Sequence, residues 1–196
     1  MNNTAPHYKH FMLLLLLVIS PHLFSQTDAE FSKDKGFSLN VQSLMIFPYG
    51  NDVGCGSQDT AYDLELDSRI LGFNTTLNYY LNPYLAAGLG IGYEKLNQPE
   101  LVYYPLFINL RGSLLTTKNT PTTAVNFGVH LGDVDQSGFM FRWSLGYRTH
   151  ILNDFLAYFE MHYSYQNLYK SFPDSGRIDN YYNVESIGVA ISFEIQ

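Results

Sequence analysis

A histidine and a serine two positions apart, His162 and Ser164, are the residues that most resemble parts of a catalytic site. A serine hydroxyl becomes nucleophilic when a histidine within hydrogen-bond reach can take its proton. Residues i and i+2 of a β-strand lie on one face, so a strand at this point would bring both side chains to the same side. The sequence therefore contains one candidate for nucleophilic catalysis, and the direction of that face decides whether a substrate can reach it.

A second set of residues combines equal numbers of opposite charges. It comprises Glu94, Glu160, Glu194, Arg111, Arg142 and Arg148, with His130 and His162 beside them. An isolated ion in a narrow interior is costly, so three acids and three bases on one buried face predict a network of ion pairs and hydrogen bonds. The two histidines lack an identifiable third ligand, so no metal site is predicted from them.

Acidic residues also collect in the polar connections. They are Asp52, Asp59, Asp63, Glu65, Asp67, Asp133, Asp135, Asp174 and Asp179. Carboxylates could ligate a divalent cation, but no segment has the spacing of a calcium loop, so we interpret them as solvated charge. Cys55 lies between two glycines and is interpreted as a residue without a functional role in a flexible loop. Neither a metal nor a cofactor is predicted for the chain.

Composition limits the class of protein that can carry these residues. The 196 residues are 46% hydrophobic and 16% aromatic but only 15% charged, against roughly 25% charged in an ordinary soluble domain. Disordered chains lack such aromatic content. The 11 basic and 18 acidic residues give a net charge of -7, the wrong sign for a nucleic-acid-binding surface.

The N-terminal segment, residues 1–25, is predicted to be a signal peptide. A basic residue, Lys9, precedes an apolar run of about nine residues, too short for the ~20 that a spanning helix needs. A small residue, Ser25, marks the predicted cleavage site. We therefore expect an exported protein with a short leader, residues 26–35, and one domain, residues 36–196.

The rest of the chain alternates apolar and polar residues with the period of two that predicts β-strands. The predicted strands are residues 36–47, 69–81, 84–96, 101–115, 122–131, 138–151, 155–166 and 182–195. The connections alternate between short polar turns, such as Asn82-Pro83, and mostly longer segments, 48–68, 97–100, 132–137 and 167–181. Short turns at one end and longer loops at the other are typical of outer-membrane barrels.

The two faces of the strands differ in size and polarity. One face carries bulky residues such as Phe73, Leu89 and Trp143, which are too large for the interior of an eight-stranded barrel. The other carries glycines, amides, hydroxyls and the charged set. We therefore predict an all-β, eight-stranded antiparallel up-and-down transmembrane β-barrel, with lipid outside and a polar, plugged lumen inside. Aromatic residues near the strand ends predict interfacial girdles.

This order of signal peptide and eight amphipathic strands resembles the small bacterial outer-membrane barrels of the OmpA/OmpX type. The last strand alternates outward to Phe193 and Ile195, and residues 105–111 (PLFINLR) are similar to a strand of the outer-membrane β-barrel domain family. The resemblance implies an outer-membrane location in a Gram-negative envelope and folding by the barrel assembly machinery. Family members often end on an aromatic residue, whereas this chain ends at Gln196.

A second resemblance concerns the catalytic candidates. His162-Tyr163-Ser164 and Pro173-Asp174-Ser175-Gly176 are similar to the His-x-Ser and Pro-Asn-x-Gly pattern of the lipid A 3-O-deacylases. The resemblance implies a serine that attacks an ester, a histidine base and an orienting acid, either Asp174 or Asp179. The alternation places His162 and Ser164 toward the lumen, however, where a lipid ester cannot reach them.

The sequence thus favours a non-enzymatic outer-membrane barrel with a structural or surface-interaction role through its extracellular loops. Its expected partners are outer-membrane lipids, lipopolysaccharide, the assembly machinery and an unidentified external ligand, and we expect a monomer that binds no nucleic acid. Two alternatives remain open: a lipid A-modifying hydrolase using His162 and Ser164, and a periplasmic barrel that binds a small ligand.

Overall fold

A computed structural model describes residues 35–55, 68–97, 100–132, 138–152, 155–170 and 180–196. The predicted signal peptide, most of the leader, Asp174 and Asp179 lie outside these residues. The strands are β1 (Gly36–Cys55), β2 (Ile70–Asn82), β3 (Leu85–Asn97), β4 (Glu100–Ser113), β5 (Thr120–Gly132), β6 (Gly138–Leu152), β7 (Phe155–Lys170) and β8 (Asn180–Ile195). Across the described ranges, no helix has the length and apolar character needed to cross a bilayer.

Each strand pairs with the next one along the chain, and β8 pairs antiparallel with β1, so the sheet closes into a barrel. Closure removes the free sheet edges that would otherwise leave backbone groups unpaired. The predicted all-β, eight-stranded up-and-down barrel is confirmed. We call the end where β1 begins and β8 ends the terminal end, and the opposite end the loop end.

The turn between β2 and β3 shows how local sequence sets the hairpins at the terminal end. The side-chain oxygen Oδ1 of Asn82 accepts hydrogen bonds from the backbone N–H groups of Tyr84 (2.8 Å) and Leu85 (3.0 Å). Pro83 lies between, where its fixed φ suits a turn. An Asn-Pro pair therefore reverses the chain between two apolar runs, as the sequence predicted.

At the loop end, several strands extend beyond their predicted bounds, and the extension of β1 is the longest. β1 continues past residue 47 to Cys55, which pairs with Asn180 of β8, and the register shifts between Pro48 and Gly50. Proline and glycine normally favour a connection, but a β-bulge accommodates both of them within the paired strand. The segment between β3 and β4, residues 98–99, is as short as a hairpin turn, so the predicted length asymmetry does not hold for it.

Large apolar side chains cover the outside of the barrel. Exposed examples are Phe73, Leu77, Leu89, Ile91, Ile108, Leu110, Phe127, Trp143, Leu145, Phe159, Met161, Ile187 and Ile191. A soluble protein rarely exposes a contiguous apolar surface of this extent, and a ligand-binding soluble barrel turns its apolar face inward. The arrangement is that of a barrel in contact with lipid.

Aromatic pairs lie near both ends of this apolar surface. Phe37 and Tyr79 form an edge-to-face pair with ring centroids 5.0 Å apart at the terminal end. Tyr93 and Tyr104 form a similar pair at 5.9 Å at the loop end. Aromatic rings prefer the boundary between hydrocarbon and headgroups, so the two pairs mark the expected membrane limits.

The lumen is layered along the barrel axis. At the loop end it contains an apolar cluster, which the sequence analysis did not single out. Its members are Leu44, Ile46, Ile70, Leu96, Leu101, Tyr103, Val184 and Ala190. Below this cluster, toward the terminal end, the inward residues are mostly polar or charged. The members of the cluster occupy the same alternate positions along the strands as the inward polar residues, so the period-two pattern also places them inside the barrel.

Candidate functional site in the barrel lumen

All eight residues of the predicted charged network point into the lumen. Glu94, Arg111, Arg142, Arg148, Glu160, Glu194, His130 and His162 are each buried. They come from β3 to β8 and occupy three successive levels. The structure pairs the charges differently at each level.

The level nearest the apolar cluster contains Glu94 of β3 and Arg142 of β6. Nη2 of Arg142 donates to both carboxylate oxygens of Glu94, at 2.9 and 3.1 Å. Nε2 of Gln166 also donates to Glu94 at 3.4 Å, and the Tyr103 hydroxyl donates to Oε1 of Gln166 at 3.1 Å. The carboxylate is thus held by several donors across the lumen, as a buried charge requires.

The middle level contains Arg111 of β4 and Glu160 of β7. Nη1 of Arg111 donates to Oε1 of Glu160 at 2.8 Å, and Nε2 of Gln42 donates to Oε2 of the same carboxylate at 2.7 Å. The Arg111 guanidinium also lies 4.3 Å from the centroid of the Tyr158 ring. A guanidinium over an aromatic face gains a cation–π attraction that is stronger away from water.

At the terminal level, Arg148 and Glu194 are connected through a tyrosine. Nη1 of Arg148 donates to the Tyr80 hydroxyl at 3.3 Å, and that hydroxyl donates to Oε1 of Glu194 at 2.6 Å. The Tyr158 hydroxyl donates to the other Glu194 oxygen at 2.9 Å. The predicted third charge pair is therefore joined through a phenol and has no direct salt bridge.

Arg148 also holds the turn between β4 and β5. Its Nε donates to the carbonyl of Lys118 at 2.9 Å and its Nη2 donates to the carbonyl of Thr117 at 2.8 Å. A single arginine therefore links the lumen network to the turn at the mouth of the barrel. Turn carbonyls would otherwise need water or another donor.

The two candidate catalytic residues lie inside the barrel and are not hydrogen-bonded to each other. Oγ of Ser164 accepts a hydrogen bond from Nε2 of Gln166 at 3.0 Å. Nε2 of His162 has no hydrogen-bond partner among the described residues and lies against Gly188. Both side chains are buried in the lumen, away from the lipid-facing surface, so the geometry does not favour the hydrolase alternative.

The second histidine, His130, is packed against an aromatic ring. Its imidazole makes an edge-to-face contact with Tyr103, with ring centroids 4.6 Å apart. Both of its ring nitrogens lack a hydrogen-bond partner in the described part of the chain. No group of three or more potential metal ligands occurs among the residues that the structure describes.

Several members of this site were missed by sequence reasoning. They are Tyr80, Tyr103, Tyr158 and Gln166. Each has the inward phase of its strand, so strict alternation would have placed it in the lumen. The three tyrosines were not predicted on either face, because the residue type alone does not reveal which face of a strand a tyrosine occupies.

Inward glycines provide the space that these side chains need. A Cβ at Gly90 would collide with the Phe107 ring, and one at Gly146 would lie 2.8 Å from Cγ of Glu160. Real Cβ atoms do not approach that closely. These two glycines therefore make room for a phenylalanine and a glutamate.

Comparison with known proteins finds a similarity of fold. No protein-family model matches the chain, and no curated protein matches it in sequence. The outer membrane protein OprG from Pseudomonas aeruginosa is 10% identical with a TM-score of 0.53, covering 86% of this chain and 100% of that chain.

Two further structures are more distant. A de novo designed transmembrane β-barrel is 10% identical with a TM-score of 0.43, covering 85% of this chain and 100% of that chain. The N-terminal β-barrel domain of Pseudomonas aeruginosa OprF is 9% identical with a TM-score of 0.44, covering 82% and 99%. The likeness to OprG, together with the apolar exterior, shows that the chain has the fold of a membrane β-barrel.

Proposed function

We propose that the protein is an integral outer-membrane β-barrel whose role is structural or lies in surface interactions, without catalysis. The observation that supports this most directly is the combination of a lipid-facing apolar exterior with a lumen occupied by paired charges. We expect an interior filled in this way to leave no continuous aqueous path along the barrel axis. Export by the predicted signal peptide would deliver the chain to the periplasm, from which the assembly machinery inserts outer-membrane barrels.

The loop end is the part of the molecule that is available to partners outside the cell. The connections 56–69 and 171–179 are the longest at that end, and both contain acidic residues such as Asp63 and Asp174. Connecting loops on a rigid scaffold commonly carry recognition. We therefore place the interaction role at the loop end.

Membrane fractionation tests the location. After a urea wash, the protein should remain with outer-membrane markers, and unboiled samples should migrate faster than boiled ones in electrophoresis because the folded barrel is compact. A periplasmic ligand-binding barrel would instead be released in the soluble fraction. Recovery of the protein in that fraction would exclude the proposal.

The lack of catalysis can be tested through Ser164. Cells that overproduce the protein should contain lipid A with the same acylation pattern as cells that produce Ser164→Ala. Loss of an acyl chain in the first strain alone, measured by mass spectrometry of extracted lipid A, would establish the hydrolase alternative and exclude a purely structural role.

A further inference from the structure

Two basic residues point outward from neighbouring positions at the loop end of the barrel. Lys95 of β3 lies opposite Leu71 of β2 on the outer face, and Arg69 directly precedes β2. The Arg69 backbone is fixed next to β3, because its N–H donates to Oδ1 of Asn97 at 2.6 Å and its carbonyl accepts from the N–H of Asn97 at 3.1 Å. Arg69 is thus the diagonal neighbour of Lys95, a relation in which the two residues lie about 7–8 Å apart and long side chains are within reach of each other.

The height of this pair matches the headgroup level of a membrane. The rise along β3 from Leu85 to Lys95 is roughly 25 Å at about 3.3 Å per residue and a tilt of about 40°, which is the height of the apolar band of such barrels. The edge-to-face pair of Tyr93 and Tyr104 lies directly below Lys95. Apolar residues continue from there toward the terminal end, so the cations lie just above the hydrocarbon.

The Arg69 side chain is exposed, and none of the described residues forms a hydrogen bond or ion pair with it. Lys95 is paired at 2.5 Å with Glu100, and both side chains are well exposed, at 43% and 71%. This exposed ion pair is weak, so Glu100 competes for Lys95 without preventing it from binding a stronger anion.

We propose that Arg69 and Lys95 bind the phosphate group of a lipid headgroup in the membrane leaflet at the loop end. Arginine presents a planar fork that binds two phosphate oxygens, and lysine adds a second positive charge. The Tyr93–Tyr104 pair contacts the glycolipid backbone or the upper acyl chains below the phosphate. The inference rests on the proposed outer-membrane insertion and names the lipid chemistry recognised by this face of the barrel.

Native mass spectrometry of the full chain in detergent micelles tests the proposal. The probe is diphosphoryl lipid A, and the reference lipid is the same molecule after enzymatic dephosphorylation. The wild-type protein should retain the phosphorylated lipid preferentially. Arg69→Gln should weaken retention about tenfold, the effect of one charge-assisted hydrogen bond of about 1.4 kcal/mol. Lys95→Gln should weaken it several-fold, and the double variant should not discriminate between the two lipids.

Two further variants test whether the effect is specific to these two cations. Glu100→Gln removes the competing carboxylate and should strengthen retention about two- to threefold. Lys118→Gln removes a positive charge at the terminal end and should change nothing. Every variant should keep its heat-modifiable mobility, which shows that the barrel is folded and separates failure of this inference from failure of the outer-membrane proposal.

Three results would overturn the inference. The first is equal retention of both lipids by the wild-type protein, or a preference for the phosphorylated lipid in the double variant as strong as that of the wild-type protein. The second is loss of binding on addition of a chelator, since bridging by a divalent cation at carboxylates would then hold the lipid. The third is complete displacement by excess inorganic phosphate, which would identify a site for free anions instead of a lipid site.

Discussion

Glu94 and Arg142 show what a single residue contributes to this barrel. They belong to β3 and β6, which are not neighbours in the sheet, and their side chains meet across the lumen at 2.9 Å. Both are almost completely buried, so each has lost its hydration and depends on the other for compensation. Each residue therefore contributes to stability mainly by preventing the charge of its partner from being buried unpaired.

Removing one member of this pair should be more damaging than removing both. Glu94→Gln leaves the Arg142 charge buried without a carboxylate and should lower the free energy of unfolding by about 3–5 kcal/mol. The double substitution Glu94→Leu with Arg142→Met should recover most of that loss. Urea unfolding in lipid vesicles, followed by the fluorescence of Trp143, measures both. A single variant as stable as the wild-type protein would show that water reaches the pair.

The inward glycines lead to a second prediction at the same scale. Gly90→Ala places a Cβ against the Phe107 ring and should cost about 1–3 kcal/mol through overpacking. Gly112→Ala is the matched control, because its nearest neighbour is Cγ2 of Thr123 at 3.3 Å, a group that can move slightly. The same unfolding assay compares them. Equal stability of the two variants would contradict the steric role assigned to Gly90.

At the scale of the strand, alternation determines which face each residue occupies. It predicted all eight strands and the inward direction of the six charged residues, because one face of every strand in the barrel is polar and the other is apolar. It could not predict which Arg meets which Glu, since these contacts cross the lumen between strands far apart in sequence. It also missed the extension of β1 to Cys55, because Pro48 and Gly50 have the residue types of a connection.

A charge placed on the outer face of one strand tests which part of the barrel surface is in contact with the hydrocarbon of the membrane. Leu145 lies midway along β6 and faces outward, so Leu145→Arg should lower the free energy of unfolding in lipid by about 2–4 kcal/mol. Ile151→Arg, near the end of the same strand, should cost only about 0–1 kcal/mol. Similar values for both variants would mean that the apolar surface is not in contact with lipid.

On the scale of the whole molecule, the lumen is occupied at successive levels. The apolar cluster lies at the loop end, two direct ion pairs follow below it, and the Tyr80–Glu194 layer lies at the terminal end. Arg148 then holds the β4–β5 turn at that mouth. These layers support a barrel that acts as a solid scaffold for its loops.

Ion conductance is the direct test of an occupied lumen. Purified protein inserted into a planar bilayer should show no current steps under an applied voltage, because paired charges and packed apolar groups leave no hydrated path. Porin in the same bilayer serves as the positive control. Discrete openings that disappear in Arg142→Gln would show that the interior rearranges to conduct.

The same cross-lumen contacts determine how the protein can fold. Gln42 of β1 and Arg111 of β4 both bind Glu160 of β7, so this carboxylate acquires both partners only when these three strands have come together around the lumen. A partly assembled sheet would hold six charges without their partners, and it would gain little until the β1–β8 seam closes. Half-barrels should therefore be unstable on their own, and the chain should complete its interior in one cooperative, late step.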